Sequence, residues 1–375
     1  MNRQAFLIAF LILAVCSIAR AQWEMESSGT TADLRGIDNV GGGVAWASGT
    51  NGTVLRTEDG GYLWQACAVP PGAEHLDFRG VQAFDANTAI VMSSGKGDLS
   101  RLYKTTDGCH TWKLVFTNPD EDGFWDAVYP ASDGQLYVLG DPVNGTFALF
   151  LSPDTGITWY AAGDSGREAL PGDGSFAASN SELVGYGPYL LFGTGGSAVS
   201  HVYATGARCS PPAGHPNAPA ITNCTIGWGK VDVPVGSGAA SSGTFSLALR
   251  PYTSKDGVLT SVVVAAGGDY TYPDRSTATA AWSLDGGGHW TIAATPPHGC
   301  RSAVAYDAPT KTWITVGPNG TDISTDDGRN WRAVHPDPAL HEAPDADRDW
   351  NALSLPFVVG PHGRIGKLNS KALIR

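Results

Sequence analysis

The sequence predicts an all-β fold, a seven-bladed β-propeller whose ring is closed by the N-terminal strand. Two observations support this prediction: a turn-rich and aromatic-rich composition, and a motif that recurs five times. The 375 residues include 48 Gly, 24 Pro and 12 Trp, and only 16% are charged. Such a composition is typical of many short strands joined by tight turns. The spacing of the repeats then indicates how those strands are arranged.

The recurring motif has the form Ser/Thr-x-Asp, followed by Gly and then by Trp. Its five aspartates are Asp59, Asp107, Asp154, Asp285 and Asp326. The fullest copy is "SPDTGITW", Ser152–Trp159. The hydroxyl and the carboxylate can both bind backbone amides in a tight turn, the Gly permits a positive φ, and the Trp begins the next strand. A catalytic acid would not need five copies, so we expect these aspartates to be structural.

Two further elements precede the motifs and complete a repeating unit. An Asn-Gly pair, as in "GTNGTVLRT" (Gly49–Thr57), predicts a tight hairpin because both positions require φ > 0. A short apolar strand lies upstream, and seven such segments occur, including a degenerate unit that contains "VYATGARC" (Val202–Cys209). Each unit therefore reads as a four-stranded meander of roughly 50 residues, the length of a propeller blade.

The two ends of the chain favour a closed ring. The last unit, Asn351–Asn369, stops without a motif or a Trp-led strand. The segment "WEMES" (Trp23–Ser27) resembles the strands that follow the motifs elsewhere. We therefore expect the N-terminal strand to complete the seventh blade. An open β-solenoid, or a ring of six or eight blades, is the alternative.

Residues 1–21 predict a signal peptide, and residues 22–375 a single propeller domain. Arg3 precedes the apolar run Ala5–Cys16, which is too short to span a bilayer. Ala19-Arg20-Ala21 fits the small-x-small cleavage rule, so we expect cleavage near Ala21 and a secreted or periplasmic protein. A lipoprotein modified at Cys16 is the less favoured alternative, since Val15 is large for the position before a modified cysteine. We expect no transmembrane segment in the mature chain.

Charge and cysteine content narrow the classes of partner and cofactor. The net charge of -12 argues against binding nucleic acid or an anionic lipid surface. Cys209 and Cys224 bracket a Pro-rich loop and are the predicted disulfide; whether Cys67 and Cys109 also pair is left open. The chain has no CxxC or HExxH motif, so we expect neither a metal nor another cofactor.

The five-fold motif resembles the BNR/Asp-box repeat, which occurs in sialidases, in other glycosidases and in non-enzymatic propellers. Together with "RGI" (Arg35–Ile37), "NGT" (Asn51–Thr53) and "TEDGG" (Thr57–Gly61), it makes the chain most similar to the photosystem II stability/assembly-factor-like propellers. Proteins of that kind are often labelled oxidoreductases or glycosyl hydrolases. The resemblance implies a non-catalytic protein-binding or assembly module. A photosynthetic role is an implication of the resemblance alone, and nothing in the sequence itself shows one.

The same residues argue against two catalytic functions, a sialidase and an oxidoreductase. Sialidases place their first arginine in a Phe/Tyr-Arg-Ile-Pro segment, but Leu34–Ile37 contains neither the aromatic residue nor the proline, and no Tyr–Glu pair can be placed. The chain has no GxGxxG between a strand and a helix and no CxxCH. We therefore expect no catalytic residue, with a secreted sialidase-like glycoside hydrolase as the alternative.

One set of residues remains as a candidate site. Aligning the seven upstream strands places these residues at one position: Arg35, Arg79, Trp125, Ala177, Ser246, Arg301 and Asn351. In a closed ring, Arg301, Asn351, Arg35, Arg79 and Trp125 would form one arc facing the central channel.

Arginines bind carboxylates through two parallel hydrogen bonds, so this arc predicts a site for an unknown protein or another anionic ligand. The competing interpretation pairs each arginine with a local acid such as Asp38, Asp77 or Asp349. We expect the protein to be a monomer.

Overall fold

The computed structural model describes residues 22–131, 134–163, 166–210, 223–370 and 373, with the side chains of 207–210 and 223–226 excepted. The predicted signal peptide and the interior of the Pro-rich loop lie outside the described residues. Within these ranges, 28 strands form seven four-stranded antiparallel sheets. The predicted seven-bladed β-propeller is therefore confirmed. The two helices of the described residues are single 3₁₀ turns, Gly97–Leu99 and Pro338–Leu340. Both are far too short to cross a bilayer.

The first described strand, β1 (Trp23–Glu26), belongs to the last blade. The chain then forms blades 1 to 3, each from its innermost strand outwards. Blade 1 contains β2 (Leu34–Gly41), β3 (Val44–Gly49), β4 (Val54–Thr57) and β5 (Gln65–Ala66). Blade 2 contains β6 (Phe78–Ala83), β7 (Ala89–Ser93), β8 (Arg101–Thr105) and β9 (Lys113–Thr117). Blade 3 contains β10 (Trp125–Pro130), β11 (Leu136–Val143), β12 (Thr146–Ser152) and β13 (Tyr160–Ala161).

Blades 4 to 6 repeat this order, and two of them carry long hairpins. Blade 4 contains β14 (Leu183–Tyr186), β15 (Tyr189–Gly193), β16 (Ser200–Ser210) and β17 (Asn223–Val233). Blade 5 contains β18 (Ser242–Thr253), β19 (Leu259–Asp269), β20 (Ala280–Ser283) and β21 (Thr291–Ile292). Blade 6 contains β22 (Ala303–Asp307), β23 (Thr312–Gly317), β24 (Gly320–Ser324) and β25 (Arg332–Val334).

Blade 7 joins the two ends of the chain. It contains β26 (Ala352–Ser354), β27 (Phe357–Val359) and β28 (Ile365–Leu368), and β1 pairs with β28 as its outermost strand. Trp23 lies opposite Leu368 in this pairing, and its ring centre is 5.6 Å from that of Trp350. The expected closure of the ring by the N-terminal strand is thus confirmed.

The hydrophobic core lies between neighbouring blades, where the tryptophans of the motifs contribute large side chains. Trp64 of blade 1 packs edge-on against Phe357 of blade 7, with ring centres 5.5 Å apart. Trp112 of blade 2 packs in the same way against Trp46 of blade 1, at 6.4 Å. Burial of such large rings between sheets is a main source of stability for a fold whose single blades cannot bury their own faces.

Each of the five motif turns has the same hydrogen bonds. In blade 3, the Ser152 hydroxyl donates to Asp154 Oδ1 at 2.8 Å and accepts the Gly156 N–H at 2.8 Å, while Asp154 Oδ1 also accepts the Thr158 N–H at 2.9 Å. The hydrogen bonds from the Thr158 hydroxyl and N–H hold the pKa of Asp154 well below its usual range. The other four turns form around Asp59, Asp107, Asp285 and Asp326.

The cysteines lie at the outside of the ring and in its central region. Cys67 and Cys109 form a disulfide with a Cα–Cα distance of 5.3 Å, which answers the question left open by the sequence and joins blade 1 to blade 2. Cys300 is buried and is the free cysteine of the described residues. Cys209 lies directly opposite Cys224 in the pairing of β16 with β17. Their side chains lie outside the described residues, so this disulfide stays a prediction.

Candidate functional site

Four of the innermost strands begin with a β-bulge, which leaves one residue out of the ladder. In blade 1, Leu34 pairs with Gly49 and Gly36 pairs with Ser48, so Arg35 has no partner on β3. The equivalent residues are Arg79 in blade 2, Asp126 in blade 3 and Phe245 in blade 5. A bulge re-aims a side chain, and all four bulged residues line the same cavity at the centre of the ring.

This central cavity has a volume of about 540 Å³ and lies at the end of the ring where the innermost strands begin, which we call the upper end. Six of the seven blades contribute to its wall, and the segment that precedes blade 4 supplies the rest. The residues concerned are Arg35 of blade 1, Arg79 of blade 2, Asp126 and Asp141 of blade 3, Phe176 and Ala177 before blade 4, Phe245 and Tyr270 of blade 5, Ser302 of blade 6 and Asn351 of blade 7. The motif turns lie at the opposite end, because β4 runs parallel to β2 and ends at Thr57, beside the turn that follows Gly41.

The predicted alignment of the upstream strands was wrong by one residue in three blades. Its members Trp125, Ser246 and Arg301 are fully buried, and Asp126, Phe245 and Ser302 line the cavity in their place. Trp125 instead packs in the core between blades 2 and 3. In blades 3 and 5 the alignment placed a neighbour of the bulged residue at the cavity instead of the bulged residue itself. Blade 6 has no bulge, and there the alignment was out of phase by one residue with a regular strand.

Arg301 is held inside blade 6 by a dense set of polar contacts. Its Nε lies 3.0 Å from Asp322 Oδ2, and Nη2 also contacts that carboxylate. Nη1 donates to Asn319 Oδ1 at 2.6 Å and to the Cys300 carbonyl at 2.9 Å. With none of its surface exposed, Arg301 has no group to offer a ligand, and its predicted place in the arc was wrong.

Arg35 and Arg79 remain at the cavity, and Asp77 lies between them. The Arg35 Nε is 3.2 Å from Asp77 Oδ1, and the Arg79 Nε is 2.8 Å from Asp77 Oδ2. Each guanidinium-bearing side chain is 30% exposed. Both arginines thus pair with a local acid, and both line the same cavity. The single carboxylate of Asp77 is shared by the two guanidinium groups.

The two arginines differ in how their terminal nitrogens are used. Arg79 donates from Nη1 to the Ala177 carbonyl at 3.3 Å. The Nη1 and Nη2 atoms of Arg35 contact no hydrogen-bond partner among the described residues, and Arg35 lines the cavity. The free edge of a guanidinium group is therefore available at the Arg35 side of the cavity. Asn351, the neighbouring member of the predicted arc, donates its side-chain amide to the Leu34 carbonyl at 2.8 Å.

Residues 175–181, the crossing segment, run through the central channel. The Ser175 N–H donates to Asp141 Oδ1 at 2.9 Å. The Asn180 side chain accepts the Val128 N–H at 2.8 Å and donates to the Val81 carbonyl at 3.3 Å. The expectation of an innermost strand at residues 176–179 was wrong. The polar groups of the crossing segment contact blades 2 and 3, and blade 4 begins only at β14.

Two buried acids lie beside the crossing segment. Burial raises the pKa of Asp126 well above its usual range, as do the nearby charges of Asp141 and Glu182, while Arg79 and the Ala177 amide oppose this rise. Burial also raises the pKa of Glu182 well above its usual range. Burial therefore disfavours the charged forms of both acids, which weakens their ability to offset the charge of Arg35 and Arg79.

The far side of the cavity is aromatic. Phe176 and Phe245 meet edge to face with ring centres 4.6 Å apart, and Tyr270 lies 6.2 Å from Phe245. Tyr270 is 58% exposed at the rim. In a seven-membered ring, blades 4 and 5 lie across the channel from blade 1, so the aromatic residues face the side that carries Arg35. Asp126, Phe245 and Tyr270 were not among the predicted site residues.

Metal chemistry has no support in the described part of the chain. Within the ranges given above, His, Cys, Asp and Glu side chains form no group of three or more that could hold a metal ion.

Comparison with solved structures gives the same fold. The chain is similar to "YCF48 bound to D1 peptide", with a TM-score of 0.53 and 17% identity over 92% of this chain and 96% of that chain. It is equally similar to "YCF48 from Cyanidioschyzon merolae", with a TM-score of 0.53 and 17% identity over 94% and 100% of the two chains. The expected similarity to assembly-factor-like propellers is confirmed at the level of fold.

A glycoside hydrolase, the Niastella koreensis GH74 enzyme, also matches, with a TM-score of 0.33 and 15% identity over 80% of this chain and 56% of that chain. A likeness this low carries no argument about function. No protein-family model matches the chain, and no curated protein matches it by sequence.

Proposed function

We propose that this propeller is a non-catalytic binding or assembly module that holds a polypeptide, or another anionic ligand, in the central cavity. The observation that supports this most directly is the free guanidinium edge of Arg35, whose Nε is fixed by Asp77. A carboxylate placed against that edge can accept two parallel hydrogen bonds from Nη1 and Nη2.

The setting of Arg35 favours such a contact. Its side chain is already oriented by Asp77, so little conformational freedom is lost when a ligand binds. The group is 30% exposed, and a partly buried charge interacts more strongly than one in open water. The acidic character of the rest of the chain, with its net charge of -12, makes this positively charged place unusual on the surface.

The similar solved propellers add a second line of support. One of them is described as bound to a D1 peptide. We carry over from it only the idea that a propeller of this shape can hold a polypeptide, since 17% identity supports the fold alone.

We also propose that the protein works outside the cytoplasm, after cleavage near Ala21. The disulfide between Cys67 and Cys109 supports an oxidising compartment, because such bonds are rare where thiols are kept reduced. Expression with the native leader, followed by fractionation and N-terminal sequencing of the mature chain, tests this. Intact protein retained in the cytoplasm would contradict it.

Peptide-display selection on purified residues 22–375 tests the binding function. Wild type should enrich carboxylate-bearing sequences, and Arg35→Ala should not. Arg275→Ala is the matched control, because it removes an exposed arginine that stacks on Tyr272 outside the cavity. Equal enrichment on all three proteins would contradict the proposal.

A secreted sialidase-like glycoside hydrolase is the rival function. It would need a tyrosine–glutamate pair beside the arginines, and the described cavity lining contains Tyr270 but no glutamate. The lining carboxylates Asp126 and Asp141 accept hydrogen bonds from backbone N–H groups of the crossing segment. Turnover of chromogenic glycosides that is lost in Asp126→Asn or Tyr270→Phe would replace the non-catalytic proposal.

A further inference from the structure

We propose that Phe176, Phe245 and Tyr270 form an apolar subsite, and that it selects polypeptide ligands with a large apolar side chain next to the carboxylate. This inference rests on the proposed function, because it takes the carboxylate of the ligand to be bound at Arg35. The subsite is a second recognition element, separate from the carboxylate contact at Arg35.

The distribution of charge in the cavity supports a ligand with two unlike ends. The charged lining residues all come from blades 1 to 3, and they are Arg35, Arg79, Asp126 and Asp141. Across blades 4 to 6 none of the described lining residues is charged. A ligand that places its carboxylate against blade 1 therefore directs its neighbouring group towards a wall without charge.

The geometry of that wall suits a side chain rather than open solvent. Phe245 is 3% exposed and forms the base, while Phe176 and Tyr270 flank it at ring-centre distances of 4.6 and 6.2 Å. Phe245 occupies the same bulged position in blade 5 that Arg35 occupies in blade 1. The same structural device thus aims a cation from one side of the channel and an aromatic ring from the other.

The size of the cavity limits the ligand to a short piece of chain. Its volume of about 540 Å³ lies within the range of about 300–1,000 Å³ that is typical of sites for small ligands. An end or a tight turn of a polypeptide fits such a space, whereas a folded domain does not. Burying one aromatic side chain of the ligand should tighten binding by about 10- to 100-fold.

Fluorescence anisotropy with labelled tetrapeptides and purified residues 22–375 tests the subsite. The peptides carry phenylalanine or glycine next to the acidic group, and each has a version in which that group is an amide. One set has its acid at the C-terminus and the other in an aspartate side chain, which separates the two sources of a carboxylate. We expect the phenylalanine acids to bind about 10- to 100-fold more tightly than the glycine acids.

Variants of the wall connect this preference to the proposed residues. Tyr270→Ala and Phe176→Ala should each reduce the preference for phenylalanine by at least about threefold, because each lowers the affinity for the phenylalanine acid more than that for the glycine acid. Phe245→Leu serves in place of an alanine variant, because Phe245 is buried and its truncation can impair folding. Denaturation midpoints show which variants remain folded.

The possible results separate this inference from the function on which it rests. If acidic peptides bind in an Arg35-dependent way but phenylalanine and glycine bind equally, the subsite is wrong and the proposed function stands. A phenylalanine preference that survives both Tyr270→Ala and Phe176→Ala would also overturn the subsite. If acids and amides bind alike and Arg35→Ala has no effect, the proposed function and this inference both fail.

Discussion

Arg35 and Arg79 share a single carboxylate partner although they come from neighbouring blades. Asp77 Oδ1 lies 3.2 Å from the Arg35 Nε, and Asp77 Oδ2 lies 2.8 Å from the Arg79 Nε. Asp77 forms an ion pair with each of the two side chains, so two guanidinium groups share one carboxylate. This arrangement leaves the two arginines with different tasks, since Arg79 holds the crossing segment and Arg35 faces the cavity.

The first prediction concerns Arg35 and a peptide with a free carboxylate. Arg35→Ala should weaken binding by about 10- to 100-fold, because two charge-assisted hydrogen bonds are lost. Arg35→Lys should recover only part of the affinity, since an ammonium group keeps the charge but cannot form the bidentate contact. Titration calorimetry measures both, and Arg275→Ala should bind within twofold of wild type. Full recovery by Arg35→Lys would show that charge alone is recognised.

The second prediction concerns Arg301, which the structure removes from the site. Arg301→Ala leaves the buried Asp322 with the His298 imidazole as its remaining ion-pair partner, so the free energy of unfolding should fall by up to about 3–5 kcal/mol. Urea denaturation of the variant measures this loss. The double variant Arg301→Ala/Asp322→Ala should be more stable than the single one. Peptide affinity of the folded fraction should match wild type, and a selective loss of binding would return Arg301 to the site.

The third prediction concerns the pH dependence of stability at Asp38. Burial raises the pKa of Asp38 to about 6, although the Ala83 N–H donates to its carboxylate at 2.8 Å. The ordinary value in an unfolded chain is about 3.9. Between these values the folded state holds a proton that the unfolded state has lost, so the contribution of Asp38 to the free energy of unfolding falls as pH rises from about 4 to about 6 and is then constant.

Asp38→Asn should remove this fall, because the asparagine oxygen can still accept the Ala83 N–H. The variant should be more stable than wild type by about 1–3 kcal/mol at pH 7. Urea denaturation at a series of pH values gives the difference between the two proteins. A constant difference from pH 4 to pH 7 would contradict the raised pKa.

The fourth prediction concerns the disulfide between Cys67 and Cys109. The two cysteines are 42 residues apart in the sequence, so the bond should stabilise the fold by about 3–4 kcal/mol through its effect on the unfolded chain. Reductant should therefore lower the denaturation midpoint of wild type by more than that of Cys67→Ala/Cys109→Ala, which retains the predicted bond between Cys209 and Cys224. An equal response of both proteins to reductant would contradict this role.

The fifth prediction concerns the closing strand. Trp23 is 3% exposed and packs on Trp350, so Trp23→Ala should lower the free energy of unfolding by about 3–5 kcal/mol. Met25 belongs to the same strand but is 42% exposed, and Met25→Ala should change stability by less than about 0.5 kcal/mol. Calorimetric unfolding of the two variants makes the comparison. Similar losses in both would mean that strand pairing, rather than the tryptophan, holds the ring closed.

The fold could be predicted from the sequence because its signals are local and repeated. Five motifs and the Asn-Gly hairpins give the unit, and the Trp-led N-terminus gives the closure. The site could be predicted only in part. Arg35, Arg79, Ala177 and Asn351 line the cavity, whereas in blades 3 and 5 the alignment missed the bulged residue, because an apolar pattern does not reveal a bulge.

One sequence signal could have corrected the register. Five blades have a glycine where the second strand passes the start of the first, and a Cβ there would lie within 2.5 Å of a backbone carbonyl oxygen. The glycines are Gly49, Gly140, Gly267, Gly317 and Gly360, and the carbonyls belong to Asp33, Phe124, Gly243, Cys300 and Asp349. The residue two positions after each carbonyl lines the cavity, and these residues are Arg35, Asp126, Phe245, Ser302 and Asn351.

The crossing segment also limits how any ligand could move. Residues 175–178 line the cavity at the upper end, and residues 179–181 line a separate cavity of about 260 Å³ at the lower end. A polypeptide held in the upper cavity, as proposed, would meet these seven residues before it reached the lower one. We therefore expect it to be captured by a terminus or a turn that enters and leaves at the upper end, rather than threaded through the ring.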